Sequence, residues 1–411
     1  MSVNTNGNRI QPTSFDLFVG MDVDKRSIVM TVADRDKIIE RRKMPYDGEG
    51  VINYFSRRYE REKTAFVYEA GPTGYGLHDK LTEGGYICLI ASPANIPVVP
   101  GSMVKTNRID SLKLAESLRA GQIKGIHVPS EPYRRLRHLV QLRDTFVKQA
   151  AATKCRIKAL LLLEGLPFPV APVGGQWSRK VLEQLRTEKI YERVCFKLGM
   201  LLKTLEFAQE KVKLTQQEMR RFCKGETEIA ESLKYLMSIP GIGKTIATEM
   251  LARIGDWRKI ENVMSLGAFL GLTPREFSTG EDVNRGRITR SGNERLRNKL
   301  IEGSWAAIRQ DGELLEFYWK VYRKQPPQMA AKKAIVAVAR KLTCRVYRVL
   351  KDRRCYEVRV AVAEKQKARI KLEQKETNTP GKLGEPDYEK KERQALGDAS
   401  TPNRTRYVIK S

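Results

Sequence analysis

Three runs of alternating apolar and polar residues open the chain, joined by connections so short that the runs can pair only as an antiparallel meander. In residues 16–24, Leu17, Val19, Met21 and Val23 share one face while Phe18, Gly20 and Asp22 share the other, the period of two that marks a strand. Residues 26–34 follow a short turn, and residues 37–46 follow the Arg35-Asp36 connection. Asp22 is thereby a carboxylate carried on a strand rather than in a loop.

A helix-like segment at residues 50–59, a strand at 64–69, a helix at 75–83 and a strand at 86–92 come next. Three strands and then helices alternating with strands is the order of an RNase H-like fold, a mixed sheet with helices on its faces. Helix then dominates residues 107–163, where Leu136, Leu139, Val140, Phe146, Val147, Ala150, Ile157 and Leu160 recur largely at spacings of three and four. Three prolines and two consecutive glycines within residues 164–177 break this rod, and Leu201, Leu205, Ala208, Val212 and Met219 resume a helical stripe. The two rods form either a coiled-coil hairpin, which could serve as a dimer arm, or two core helices of one globule. The expected architecture is α/β plus α: an α/β domain at residues 15–129, a helical coiled-coil linker with an inserted loop at 130–232, and a mainly helical domain at 233–349. Residues 364–411, rich in Lys, Glu, Pro and Thr, are expected to form a disordered basic tail.

Charge narrows the partners. Over 411 residues, 76 Lys and Arg against 48 Asp and Glu leave a formal charge of +28. Self-repulsion on that scale is offset by a polyphosphate, whose binding releases counterions, so DNA or RNA is the expected partner. The six cysteines include no C-x-x-C pair and fall mostly in apolar or helical stretches, which reads as reduced core thiols of a cytoplasmic protein and argues against a zinc site. No window approaches the roughly 20 apolar residues of a membrane span, and residues 1–14 are polar rather than signal-like.

Two further acids stand out in the first domain. Glu69 ends the fourth strand beside the Gly71-Pro72 break, and Asp110 closes Lys105-Thr106-Asn107-Arg108-Ile109-Asp110, where Asn107 and Asp110, three apart at a helix start, point the same way. Carboxylates converging from separate segments repel unless a divalent cation lies between them, and hard oxygen donors suit Mg2+ or Mn2+. Two such ions can activate an attacking oxygen and stabilise a leaving one in phosphoryl transfer. Taken singly, each acid reads as a surface or capping residue, Asp110 before Ser111 among them. Their joint occurrence on this strand order is what carries the metal-site reading.

In the third domain, Ile239-Pro240-Gly241-Ile242-Gly243-Lys244-Thr245 ends like a Walker A loop but has Ser238 where that loop needs its first glycine, so ATP binding is not expected. A turn between helices whose N–H groups face a phosphate, a helix-hairpin-helix, fits, and so does a plain helix corner. Downstream, hydroxyls, glycines and arginines concentrate in Gly271-Leu272-Thr273-Pro274, Ser278-Thr279-Gly280, Arg285-Gly286-Arg287-Ile288-Thr289-Arg290-Ser291-Gly292-Asn293 and Arg295-Leu296-Arg297. Glycines let a backbone approach a phosphate, arginines grip its oxygens bidentately, and a serine hydroxyl could attack phosphorus once deprotonated. His78, His127 and His138 all belong to the first half, which removes a Ser-His pair within this domain.

In this order, over residues 15–346, the motifs resemble transposases of the insertion sequence 110 family, which includes the Piv-like DNA invertases. Val19-Gly20-Met21-Asp22-Val23, Tyr68-Glu69-Ala70-Gly71 and the segment ending at Asp110 are similar to the family's RuvC-like domain; the third-domain motifs are similar to its transposase domain. The resemblance implies an Asp-Glu-Asp-Asp metal site at Asp22, Glu69, Asn107 and Asp110, with Asn107 standing where the family commonly has Asp and so weakening affinity for Mg2+. It implies a serine nucleophile, Ser278 in preference to the more hindered Thr279, and a covalent serine–DNA intermediate. It further implies a noncoding guide RNA beside DNA, and a homo-oligomer, dimer or tetramer, in which the serine is supplied in trans. Lys105, Arg108, Gly241, Gly243, Lys244, Arg285, Arg287, Arg290, Arg295 and Arg297 are the expected nucleic-acid contacts. Two other functions fit the same residues: a RuvC-like junction endonuclease, in which metal-bound water attacks and Ser278 only touches phosphate, and a catalytically silent DNA- or RNA-binding protein derived from a mobile element.

Overall fold

A computed structural model describes residues 9–96, 107–169, 177–277 and 285–357. Lys105, Ser278, Thr279 and residues 364–411 lie outside the described residues, and of Asn107, Arg108 and Arg285 only the backbone is described. The chain divides into two compact units, Met1–Pro129 and Ser130–Ser411.

The first unit is built on strands β1 (Leu17–Val23), β2 (Ser27–Ala33), β3 (Ile38–Pro45), β4 (Thr64–Glu69) and β5 (Ile87–Ala91), with helices α1 (Gly48–Ser56), α2 (Gly76–Glu83) and α3 (Asn107–Arg119). The strand order is β3-β2-β1-β4-β5. β1 pairs antiparallel with β2 and parallel with β4, β2 pairs antiparallel with β3, and β4 pairs parallel with β5. This mixed five-stranded sheet with helices is consistent with an RNase H-like α/β fold. The alternation of β1 sorts its side chains between two cores. Val19 and Met21 join Phe66, Tyr68, Val51, Phe55, Leu77 and Leu81 under α1 and α2, while Phe18 joins Ala65, Val67, Leu114 and Leu118 under α3. Asp47 caps α1, its carboxylate accepting the N–H groups of Glu49 and Gly50.

The rod expected over residues 107–163 is two helices. α3 ends at Arg119, Gly121 follows in the left-handed region (φ 66°), and residues 125–126 return to the sheet, where the Ile126 N–H donates to the Ile90 carbonyl at 2.6 Å. Helix α4 (Glu131–Leu163) then begins the second unit with Pro132 in its first turn. The break is written in the residues themselves, since Gly121, Gly125, Pro129 and Pro132 all disfavour continued helix; the periodic stripe that suggested one rod begins only at Leu136.

The second unit continues with α5 (Arg179–Thr187), α6 (Cys195–Gly225), α7 (Thr227–Met237), α8 (Lys244–Ile254), α9 (Val263–Phe269), β6 (Pro274–Glu276), β7 (Arg285–Ile288), α10 (Glu294–Gln310), α11 (Gly312–Tyr322) and α12 (Pro327–Asp352). α4 and α6 run side by side in opposite directions: Phe146 meets Phe207 edge-to-face, and Ile157, Leu160 and Leu161 pack with Leu198, Leu202 and Leu205. The remaining helices enclose a core that includes Leu233, Leu236, Met250, Leu251, Leu300, Val338 and Leu342. Of the six cysteines only Cys88 and Cys223 are buried. Cys155 and Cys195 are exposed on α4 and α6, correcting the expectation that the thiols are mostly core residues. Among the described residues no helix is long and apolar enough to cross a membrane.

A buried ionic cluster ties α4 to α8 and α10. Asp144 receives Arg143 at 3.1 Å and Arg253 at 3.9 Å and contacts Arg295, which also donates to Glu249 at 2.6 Å. Asp144 and Glu249 are both buried, so deleting one leaves guanidinium charge facing a low-dielectric interior. Asp144→Ala is expected to lower stability by about 3 kcal/mol in denaturant titration. Glu206→Ala, which removes an exposed bridge to Arg186, is expected to cost less than about 1 kcal/mol.

Candidate active site

The register of β1 against β4 sets the position of the first two acids. Gly20 pairs with Val67 and Met21 with Tyr68, so the next residues along the two parallel strands, Asp22 and Glu69, fall side by side about 4.8 Å apart at the strands' C-terminal ends. Both lie on the face that carries Phe18, Gly20, Ala65 and Val67, the face α3 covers. Asp22 is half-buried and Glu69 exposed. The turn after Glu69 is held from both sides: the Ala70 N–H donates to the Ala91 carbonyl, and the Tyr68 hydroxyl donates to the Gly74 carbonyl at 2.9 Å. Burial pushes the Tyr68 phenol well above its ordinary range, so this donor keeps its proton.

Gly20 decides where α3 lies. A Cβ at Gly20 would fall 2.2 Å from the Ser111 carbonyl oxygen and 2.3 Å from the Ala115 nitrogen, so the helix backbone rests directly on β1 at this point. The Ser111 hydroxyl meets the Thr31 hydroxyl on β2 at 2.9 Å, both buried. Leu118 packs beside Phe18, and Arg119 reaches the Asp34 carbonyl, so α3 runs antiparallel to β1 with its first turn towards the strand's C-terminal end. Rises of about 1.5 Å per helical residue and 3.3 Å per strand residue bring the start of α3 level with Asp22. Asp110, half-buried, belongs to that turn. Sequence reasoning missed Gly20, Thr31 and Ser111 as positioning residues; a glycine in the middle of an alternating strand is the signal that could have found the first.

The structure therefore brings Asp22, Glu69 and the first turn of α3 to one end of one sheet face. It does not close them into a cage: among the described residues no three His, Cys, Asp or Glu side chains stand close enough to hold a metal ion. The chemistry of the set, two neighbouring carboxylates with a third on the facing helix, is that of hard oxygen donors and fits a hard divalent cation.

In the second unit, β6 and β7 pair as an antiparallel hairpin, Pro274 with Ile288 and Glu276 with Arg285; Ser278, Thr279 and Gly280, between them in the sequence, lie outside the described residues. The base of the hairpin is sewn to its surroundings by Thr289 N–H to Thr273 O at 2.8 Å and Asn293 N–H to Phe269 O at 2.8 Å. Two of the arginines expected to grip phosphate are engaged within the protein. Arg297 is buried and donates to the carbonyls of Leu270 and Arg290, and Arg295 belongs to the Asp144–Glu249 cluster. Arg297 thereby braces the base of the hairpin and Arg295 ties α10 to α4 and α8, whereas Arg287 and Arg290 are exposed.

Three glycines of these motifs also pack against protein backbone. Gly271 (φ 65°) and Gly292 (φ 122°) let the two chain segments at the hairpin base approach each other, a Cβ at either meeting a carbonyl oxygen at 2.5 Å. Gly241 (φ 82°) packs on the backbone of α10 at Gly303, not on open solvent. Gly243 and Lys244, by contrast, are exposed at the start of α8, which has no side-chain cap.

A family model described as transposase, of the DEDD type named for IS110, matches residues 19–164, and one described as transposase IS116/IS110/IS902 family matches residues 233–319. A putative transposase of Sinorhizobium fredii, y4qE, is 31% identical over 315 residues, covering 73% of this chain and 74% of its own length. The transposase for insertion sequence element IS1533 of Leptospira borgpetersenii is 25% identical over 301 residues, 70% of this chain and 84% of its own. The pilin gene-inverting protein of Moraxella bovis is 30% identical over 134 residues, 32% of this chain and 41% of its own.

Proposed function

We propose, on the premise that this chain belongs to the IS116/IS110/IS902 family of transposases and is a DNA transposase or recombinase, that it cuts and rejoins DNA at the acidic end of its sheet with Ser278 as nucleophile. The observation that supports this most directly is the β1/β4 register, which sets Asp22 beside Glu69 with the first turn of α3 above them. A divalent ion, Mg2+ or Mn2+, held by Asp22, Glu69, Asp110 and the uncharged Asn107 would supply charge compensation for the phosphate under attack. Ser278 Oγ bonds to the scissile phosphorus as the bond to one DNA hydroxyl breaks; the serine loses a proton and the departing hydroxyl gains one. In the resulting serine–DNA phosphodiester a second DNA hydroxyl can attack phosphorus as the bond to Ser278 Oγ breaks, that hydroxyl losing a proton and the serine regaining one, which is what strand exchange needs. The similarity to a gene-inverting protein favours this over simple junction cleavage.

In the same reading, α4 and α6 form a coiled-coil hairpin that joins copies into a dimer or tetramer, so that the serine acts in trans on a partner's acids. The α7–α8 turn acts as a helix-hairpin-helix, with Lys244 and the open N–H groups of α8 towards a phosphate. A noncoding guide RNA and DNA share the net positive charge, and the protein works in the cytoplasm. The domain limits are then a RuvC-like metal-binding domain at residues 15–129, a helical linker at 130–232 and a transposase domain at 233–349.

The test is to purify the protein with its co-expressed RNA, incubate it with junction DNA and Mg2+, and separate the products under denaturing conditions. A protein–DNA band is expected, lost in Ser278→Ala and retained in Thr279→Ala. Cleavage that survives Ser278→Ala without any band would leave the junction-endonuclease function instead, and no cleavage by the natural sequence would leave the silent binding protein.

A further inference from the structure

Strand β3 carries a charge pattern that the acidic site does not use. Its alternate residues Glu40, Arg42 and Met44 pair with Val32, Met30 and Ile28, on the face covered by α1 and α2. There the charges are compensated: Arg42 bonds Glu40 at 3.3 Å and lies over the Tyr54 ring, whose hydroxyl also donates to Glu40. Arg41 and Lys43 belong to the opposite face, pairing with Thr31 and Val29, which in turn pair with Gly20 and Asp22. One row across the sheet thus reads Lys43, Val29, Asp22 and then Glu69, and the neighbouring row reads Arg41, Thr31, Gly20.

α3 packs on β1, β2 and β4, and β3 is the edge strand beside it. Arg41 and Lys43 are both exposed there, and among the described residues neither takes part in an ion pair. Two uncompensated cations at the edge of this face, beside the start of α3, suit a polyanion whose reacting phosphate is held near the acids through a divalent ion, since its next phosphates then reach the cations. The spacing suits this. Two inter-strand steps separate Lys43 from Asp22, about 10 Å, and a nucleic-acid strand advances about 3.4 Å per nucleotide along its axis.

We propose that Arg41 and Lys43 form a backbone rest for nucleic acid, contacting phosphodiesters roughly three nucleotides from the phosphate that reacts at Asp22 and Glu69. The ligand chemistry is the phosphodiester backbone, read without regard to base sequence. The inference rests on the reading of Asp22 and Glu69 as the acidic site, and it assigns positioning roles to residues outside that site.

The experiment measures binding of the full chain, purified with its co-expressed RNA, to junction DNA at several salt concentrations in EDTA, with a second arm using RNA-free protein and a structured RNA. Arg41→Gln and Lys43→Gln are each expected to reduce the slope of log affinity against log salt by about 0.9, the double variant by about 1.8, with affinity lower by roughly tenfold and an unchanged melting temperature. Arg42→Gln, on the other face, should leave the slope unchanged. A loss in the DNA arm, the RNA arm or both supports the rest and says which backbone lies on it. Unchanged slopes in both arms overturn it and leave the two cations only the task of keeping an edge strand from pairing with another sheet. Because binding is read without metal, its outcome is separate from that of the acidic site: loss of cleavage in Asp22→Asn tests the latter alone.

Discussion

Asp22→Asn is expected to lower Mg2+-dependent DNA cleavage by about 10^3-fold or more while leaving the fold intact. The substitution keeps the shape and one hydrogen-bonding oxygen of a half-buried side chain, so packing at the end of β1 has little reason to change. What it removes is one of two negative charges on adjacent parallel strands. Without metal that removal relieves repulsion with Glu69, and the variant should melt at the same temperature as the natural protein or slightly above it. With Mg2+ the order should reverse: the natural protein gains stability as the ion binds the folded state, and the variant gains much less. A cleavage assay paired with melting curves at several Mg2+ concentrations reads both effects. Undiminished cleavage by Asp22→Asn would remove the acids from the chemistry.

Gly20→Ala should do comparable damage by a different route, although it adds one methyl group. The new Cβ would overlap the Ser111 carbonyl oxygen and the Ala115 nitrogen, both backbone atoms that no rotamer change can clear. α3 must then move away from β1, opening the contact of Leu114 and Leu118 with Phe18 and Val67 and breaking the Thr31–Ser111 hydrogen bond. A destabilisation of about 3 kcal/mol follows, or a fall on the order of 10 °C in the melting of the first unit. Cleavage should fall with it at temperatures where the variant is still folded, since the first turn of α3 carries Asp110. Ser111→Ala makes the comparison, removing only the hydroxyl pair at a cost of about 1 kcal/mol. A Gly20→Ala protein as stable as the natural one would mean that α3 does not rest on β1.

Much of this was legible in the residues. The alternation of β1, β2 and β3 announced the meander, and the helix–strand alternation after it announced β4 and β5. Asp22 and Glu69 could each be placed on a strand by counting twos. The third-domain motif was harder to read. Gly241, Gly271, Gly292, Arg295 and Arg297 have the composition of a phosphate-binding loop, yet their glycines bring protein backbones together and their arginines neutralise buried carboxylates or cap carbonyls. Composition cannot separate these uses because a guanidinium bonds a carboxylate, a carbonyl and a phosphate by the same geometry. The short β6–β7 hairpin was also hidden, its strands too brief for a period to emerge.

Local chain order settled whatever depends on neighbours one to four residues apart: strand or helix, which side chains share a face, and that acids sit on the strands at all. Tertiary structure alone decided the register that sets Asp22 beside Glu69, the seat of α3 on Gly20, and which cations remain uncompensated. Those outcomes turn on contacts between residues distant in the chain, whose energies depend on close packing and on burial of charge, and neither quantity exists until the chain has folded.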